Sequence, residues 1–498
     1  MTYLPVLWRH SALLLSIVVV SQVIAMAPTF RKSTLNETFL AEGAAFGDFN
    51  HDGQLDAVAG PYWYAGPEFK ERHEIYAPAP FDPLKYSENF FAFTYDFNGD
   101  GWTDVLVIGF PGTAAVWYEN PQTSGKPWER HLAFPTVDDE SPVLGRLFPD
   151  QPPVLLCASG GRLGYAKFDG GNPKATWTFH AITPTGPWQR YTHGLGFGDV
   201  NGDGRNDLLE AGGWWEQPAS LNNDPVWKHH AFAFAPERGG AQMYAFDVNG
   251  DGLNDVITAH NAHGYGLSWY EQSKDASGEI TFNEHAITST NPTEKIAEVQ
   301  FSQPHAMLVV DVDRDGLPDL VTGKRWWAHG PEGDVDANGT PVLFAFLLRR
   351  GANHTARFEP TPIDDASGVG TQFDSADVNA DGYPDFIISN KRGTFLFGST
   401  INGQSGEAPD AVLRPATGEQ SSFHLPPGFE IQLVASEPDI GKPLNLNFDA
   451  SGRVWVSSTS LYPWPAKRDA LDVAIASFTE NWDANQLAFR AASSPPKP

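Results

Sequence analysis

Asp199-Val200-Asn201-Gly202-Asp203-Gly204-Arg205-Asn206-Asp207 decides how the chain is read, because its pattern, Asp-x-Asn/Asp-x-Asp-Gly-x-x-Asp, occurs six times in 498 residues. The other copies begin at Asp48, Asp96, Asp247, Asp311 and Asp377, and each runs into a short apolar segment such as Val105–Ile108 or Phe386–Ile388. Recurrence at intervals of tens of residues marks an array built from one supersecondary unit.

The chemistry of the nine residues is that of a hard cation. Calcium takes about six to eight oxygen ligands from carboxylates, amide and backbone carbonyls and water. The candidate ligands are Asp48, Asn50, Asp52 and Asp56; Asp96, Asn98, Asp100 and Asp104; Asp199, Asn201, Asp203 and Asp207; Asp247, Asn249, Asp251 and Asp255; Asp311, Asp313, Asp315 and Asp319; Asp377, Asn379, Asp381 and Asp385. Glycine at the sixth position permits the sharp turn. An EF-hand starts alike but needs a glutamate at position twelve and flanking helices. Position twelve here is Ala59, Val107, Glu210, Thr258, Thr322 or Ile388, so the ninth residue is taken as the last carboxylate. The alternative is six metal-free Asx-rich hairpin turns.

Composition agrees with many short strands. There are 48 Gly, 40 Pro and 13% aromatic residues. The formal charge is −28, and the loops account for 19 of the 61 acidic residues. No basic face suited to nucleic acid is legible. The single cysteine, Cys157, permits no internal disulfide, and without Cys-x-x-Cys-His no haem is expected. Residues 1–27 read as a secretory signal, with apolar Ala12–Val20 and cleavage near Ala27; an uncleaved anchor is the alternative. No later segment is long and apolar enough to span a membrane, so the mature protein is expected to be secreted or periplasmic.

Successive loop starts lie 48 to 66 residues apart except between Asp96 and Asp199, where the gap is 103. A degenerate copy without carboxylates, Gly145–Ser159, fills that gap and gives seven units. Most units add an aromatic pair (Trp63-Tyr64, Trp117-Tyr118, Trp214-Trp215, Trp269-Tyr270, Trp326-Trp327). A strand with a recurring histidine follows (His73, His131, His180, His230, His285). Four strands in each of seven units predict an all-β, seven-bladed β-propeller, with a sandwich as the alternative. The last unit lacks its fourth strand, and Phe30–Leu35 has no unit of its own. The N-terminal strand is therefore expected to close the ring and remove the open edge.

These repeats resemble the FG-GAP/VCBS family over about residues 30–400, most closely secreted propellers of planctomycete-type bacteria. The resemblance implies the propeller and its calcium ions. It also implies extracellular binding or scaffold roles, with a few related propellers acting as carbohydrate lyases or dehydratases. After the propeller (28–400) come a linker (401–422), a segment (423–465), and a tail (466–498). Leu425–Pro443 and Phe448–Val456 resemble the start of a membrane-bound-dehydrogenase-type propeller. The segment reads as a truncated second module, and this C-terminal extension is expected to be poorly ordered.

The strand ahead of each loop should be innermost. Six residues before the first Asp stand Glu42, Phe90, His193, Ala241, His305 and Thr371. Glu42, His193 and His305 could converge on the axis as a transition-metal or acid–base set, or be hydrated lining, with Gln303 and Gln372 nearby. The recurring histidines read as structural, and the aromatic pairs as packing between blades, with stacking of sugars at a rim as the alternative. Asp334-Val335-Asp336-Ala337-Asn338 is either one more calcium loop or an ordinary acidic turn. The expected function is a calcium-binding module for a polysaccharide or an extracellular protein. The alternatives are a carbohydrate-active lyase or dehydratase at the channel, and the docking half of a truncated redox protein.

Overall fold

The computed structural model describes residues 28–123, 125–236, 239–400, 442–448 and 454–459. The expected signal segment, linker and tail lie outside the described residues, as does most of 423–465. The chain divides into two compact units, Met1–Ser405 and Gly406–Pro498. In the second, Lys442–Phe448 and Val454–Thr459 pair antiparallel. Among the described residues the one helical piece is a 3₁₀ turn, Ala352–His354. No helix there is long and apolar enough to cross a membrane.

The first unit is a propeller-like arrangement of antiparallel sheets. Strands β2 to β5 (Ala45–Gly47, Asp56–Ala59, Tyr62–Tyr64, Arg72–Glu74) form one sheet, and β6 to β9 (Phe91–Tyr95, Asp104–Ile108, Thr113–Glu119, Glu129–Val137) the next. Strands β10 to β13 (Val143–Gly145, Val154–Ser159, Arg162–Lys167, Thr178–Ala181) form the sheet without an acidic loop. Strands β14 to β17 (Leu195–Gly198, Asp207–Glu210, Gly213–Glu216, Lys228–Ala231) and β18 to β21 (Gln242–Phe246, Asp255–Ala259, Leu267–Lys274, Ile280–Thr288) make one eight-stranded sheet. Strands β22 to β25 (Pro304–Val310, Asp319–Lys324, Leu343–Arg350, Ala356–Asp364) and β26 to β28 (Phe373–Ala376, Asp385–Asn390, Gly393–Thr400) complete the order. The last sheet takes β1 (Thr29–Asn36) as its fourth strand, with Phe30 opposite Ser399 and Thr34 opposite Phe395. The expected N-terminal strand therefore supplies the missing edge.

The units beginning at Asp199 and Asp247 do not separate. Strands β14 and β18 run parallel in register, Gly196 opposite Met243. A Cβ at Gly196 would lie 1.9 Å from the Met243 carbonyl oxygen, so only glycine admits this approach.

Apolar clusters fill the spaces between neighbouring sheets. Leu106 and Trp117 of the second sheet pack with Leu155, Cys157 and Trp177 of the third. Tyr62 and Tyr64 of the first pack with Ile387 and Leu396 of the last. The leading strands β2, β6, β22 and β26 expose unpaired backbone groups, which cost free energy unless bonded. Neighbours supply the bonds: Gln372 joins Ala44 O (2.9 Å) to Ala92 N (3.2 Å). Asp374 accepts Phe46 N (3.0 Å), and Gln242 accepts Met307 N (2.9 Å).

The ninth residue of each loop holds its unit together. Asp56, Asp104, Asp207, Asp255, Asp319 and Asp385 are fully buried. One oxygen of each accepts the amide of the loop's second residue, as Phe97 N to Asp104 at 3.0 Å. The other accepts an amide in the third strand or just past it, as Leu348 N to Asp319 at 2.7 Å and Asn120 N to Asp104 at 2.8 Å. The sixth-position glycines have φ of 83° to 88° with open space around them, so backbone conformation, not crowding, requires glycine there. Burial raises the pKa of these six groups against the pull of their amides, to about 6 for Asp56, Asp255 and Asp385 and about 7 for Asp104, Asp207 and Asp319.

Each folded value lies above that of an unfolded aspartate, so the folded chain binds the extra protons. The stability this contributes is full below about pH 4 and is lost as pH rises through 6 to 7. Ion-free protein should therefore melt at a lower temperature at pH 8 than at pH 5 in scanning calorimetry. A melting temperature that rose over this range would show that the buried clamps do not titrate as described.

Candidate functional site

At one end of the leading strands, side chains from separate sheets meet. Glu42, Glu140, His193 and His305 each stand five residues before the last paired residue of a leading strand: Gly47, Gly145, Gly198 and Val310. All four are buried. Nε2 of His193 lies 3.3 Å from Nε2 of His305. Glu140 Oε2 lies 3.2 Å from His305 Nε2 and 3.5 Å from His193 Nε2. The carboxylate between the two histidines is thus Glu140. Glu42, expected to join them, instead accepts Arg325 Nη2 at 2.6 Å and Ser87 Oγ at 3.1 Å. Arg325 Nη1 donates to His305 Nε2 at 2.8 Å, so the guanidinium links Glu42 to the histidine pair. Phe90 and Thr371 occupy the same layer, with Thr371 Oγ1 bonded to the Phe90 carbonyl. Gln303 and Gln372 are tied up with backbone and neighbouring side chains.

Sequence reasoning missed Glu140 because its register was counted back from the first loop aspartate, and this sheet has none. It missed Arg325 and Lys391, although each stands six residues after a clamp aspartate, Asp319 and Asp385. His263, in the loop after β19, and His329, in the turn after β23, have no repeat equivalent that would single them out.

The cluster faces a cavity of about 410 Å³ lined by Tyr86, Phe110, Glu140, Tyr191, His193, His263, Arg325 and His329. Burial drives the His305 pKa well below its ordinary value and the Arg325 charge adds to this, so the imidazole is neutral. Burial would raise Glu140, but His193 and His305 beside it outweigh this and hold the carboxylate well below the usual range. Asp334 is likewise held low by His263 and His329 against its own desolvation, with His329 Nδ1 at 2.9 Å. Asp334 therefore serves the histidines. Asn338 accepts Trp327 Nε1 (2.9 Å), and Asp336 lies 3.8 Å from Lys324 Nζ. The three side chains of this insertion have separate partners and form an acidic turn.

Beside the cavity runs a groove of about 480 Å³ lined by Lys32, Pro83, Trp326, Trp327, Lys391, Arg392 and Phe395, among others. Lys391 Nζ lies 4.8 Å from the Tyr86 ring, so groove and cavity share a wall. Burial lowers the Lys391 pKa to about 8. The other aromatic pairs sit buried in third strands. Trp326 and Trp327 leave the sheet, stack at 3.9 Å, and have Arg392 4.9 Å from the Trp326 ring.

The recurring histidines are cross-strand partners of third-strand aromatics. His73, His131, His180, His230 and His285 pack on Trp63, Trp117, Tyr165, Trp214 and Trp269 with ring centroids 3.9 to 4.9 Å apart. Three also bond to a third-strand glutamate: His131 to Glu119, His230 to Glu216 and His285 to Glu271, at 2.7 to 2.8 Å.

In the acidic loops the first aspartate accepts the amides of the fifth and sixth residues, as Asp48 does from Asp52 (3.1 Å) and Gly53 (3.0 Å). Asn50 accepts the same Asp52 amide at 3.0 Å, which draws the side-chain oxygens to one side of the turn. This oxygen-only donor set fits calcium. The loop at Asp311 differs. Arg349 reaches Asp313 Oδ2 at 2.5 Å and Asp315 Oδ2 at 2.7 Å, placing a guanidinium among the carboxylates.

The profile of the FG-GAP-like repeat matches residues 247–322, and that of a domain of unknown function, DUF7133, matches residues 416–480. No curated protein matches the chain. Similar solved structures include an Agrocybe aegerita lectin that recognises non-reducing terminal N-acetylglucosamine, at 15% identity and a TM-score of 0.39 over 74% of this chain and 87% of the lectin. A rhamnogalacturonan lyase is similar at 13% identity and a TM-score of 0.37 over 75% of this chain and 74% of the lyase. An auxiliary nutrient binding protein from Bacteroides ovatus is similar at 10% identity and a TM-score of 0.36 over 70% of this chain and 84% of that protein. At these TM-scores the likeness carries no function to this chain.

Proposed function

We propose that this chain is a secreted, calcium-stabilised, seven-bladed FG-GAP-type propeller that binds an acidic polysaccharide at the end of its axis. The eight-stranded sheet counts as two blades joined through β14 and β18. The observation that carries the ligand reading is the groove where Trp326 and Trp327 leave the sheet beside Lys391 and Arg392. In a chain of formal charge −28, a local concentration of cations beside half-buried aromatic rings suits a ligand with sugar faces and carboxylates. Polygalacturonate should bind in calcium-containing buffer, and Trp327→Ala should weaken it at least tenfold, about 1.4 kcal/mol, without changing the melting temperature. Equal binding of a neutral polysaccharide, or an unchanged Trp327→Ala variant, would sink the reading.

A second reading, a lyase, is favoured by the proximity of Arg325, Tyr86, Tyr191 and the histidines in one cavity. A buried guanidinium can neutralise a uronate carboxylate while a neighbouring base removes the proton from the adjacent carbon and the glycosidic oxygen leaves from the next carbon, protonated by a tyrosine hydroxyl. The polysaccharide would then develop the ultraviolet absorbance of an unsaturated product, and the absorbance would vanish in His193→Ala. Binding without new absorbance leaves the module as a lectin.

Calcium fills the acidic loops, neutralising carboxylates gathered in each turn. The loop at Asp311 is the exception, because Arg349 bridges two of its carboxylates, Asp313 and Asp315, whereas Arg205 in the loop at Asp199 meets Asp203 alone. Chelation should lower the melting temperature. Equilibrium dialysis should find five ions per wild-type chain and six in Arg349→Gln. Equal stoichiometry in the two proteins would show that the guanidinium does not compete.

A further inference from the structure

The hydrogen-bond count at the axial cluster leaves a place for one more positive charge. Nδ1 of His193 faces the Tyr191 carbonyl at 2.9 Å. A carbonyl can only accept, so Nδ1 carries the hydrogen and neutral His193 presents a bare lone pair at Nε2. Nε2 of His305 faces Arg325 Nη1 at 2.8 Å. A guanidinium can only donate, so this Nε2 is also a lone pair, and the hydrogen belongs on Nδ1, which is buried without a partner. The third member is an oxygen of Glu140, an anion. Three electron pairs thus converge on one point.

Their spacing is that of a coordination polyhedron. The edges of the triangle are 3.3, 3.2 and 3.5 Å. Ligands about 2.0 to 2.1 Å from a tetrahedral ion lie roughly 3.3 to 3.4 Å from one another. A ring nitrogen of His263 completes the group, with all four ligand atoms within 4.8 Å of one another. A second contact that orients a metal-bound histidine is also in place, the Tyr191 carbonyl on His193. The ligands come from separate loops and strands, and the cavity gives access to one side.

We propose that Glu140, His193, His263 and His305 bind one divalent transition-metal ion of the zinc class, distinct in chemistry from the oxygen-only acidic loops. Imidazole nitrogen with one carboxylate selects zinc, cobalt or manganese over calcium. Loading requires Arg325 Nη1 to release His305 Nε2, while Nη2 stays on Glu42. Metal binding and the guanidinium therefore compete for one lone pair.

The test uses the full chain, chelated and returned to excess calcium so that the acidic loops are filled. Calorimetric titration with Zn²⁺ should find one site per chain, and Co²⁺ should give the visible absorption of a four-coordinate ion. His193→Ala and Glu140→Gln should each weaken Zn²⁺ by at least tenfold, whereas His230→Ala, altered at an outer-strand histidine, should bind as the wild type does. Crystals soaked in Zn²⁺ give an answer that no folding defect can obscure. An anomalous peak among His193, His305 and Glu140 supports the site; a peak elsewhere only, or none, overturns it. Absence of Zn²⁺ binding in excess calcium also overturns it, and would assign the convergence to a proton shared by the two imidazoles and the carboxylate.

Discussion

One buried carboxylate per unit sets the geometry of most of this fold. The clamp aspartate takes an amide from the turn before it and another from the third strand or just past it, so a single side chain ties the turn to the third strand. Removing it would strand two buried amides, each costing about 1 to 3 kcal/mol. The apolar layers between sheets need strands held at a set spacing, and the clamp provides this in six units. The third sheet, with Val154 in place of the aspartate opposite Gly145, has no such clamp and packs through an apolar cluster.

The leading strands pose a second problem. A strand at the inner edge of a sheet has backbone groups with no ladder to join, and here they are met by glutamine, aspartate and tyrosine side chains from the next sheet. At one end this lining changes character, where Glu42, Glu140, His193, His305 and Arg325 gather together. Buried charge is tolerated there because Arg325 is bonded to Glu42 and close to Glu140. The functional end is where repetition of the unit breaks down.

The same contrast explains what could be read in advance. Loop spacing, strand count and the stray N-terminal strand were all legible, because each follows from a local pattern or a missing piece. Glu42, His193 and His305 emerged from register counting, yet the carboxylate belonging with the histidines was Glu140, hidden in the unit that had lost its marker. The joining of two sheets through Gly196 was not legible, since it depends on how closely two strands approach. Arg349 across the Asp311 loop was not either, because the two lie 38 residues apart and meet only through the pairing of β23 with β24. Trp326-Trp327 looked like one more packing pair, and only its departure from the strand shows the difference.

The pairing of β1 with β28 has a consequence for assembly. Within this domain β1 is made before every other strand and pairs with nearly the last, so the ring closes across the longest stretch of chain. Non-local pairings of this kind slow folding. Until β1 docks, the Phe395–Phe397 strand offers an unpaired, apolar edge to any other chain that carries the same sequence. Two unfinished molecules could then exchange their first strands and each complete the other. Early synthesis and late use of one strand thus make the protein's yield depend on its concentration while it folds.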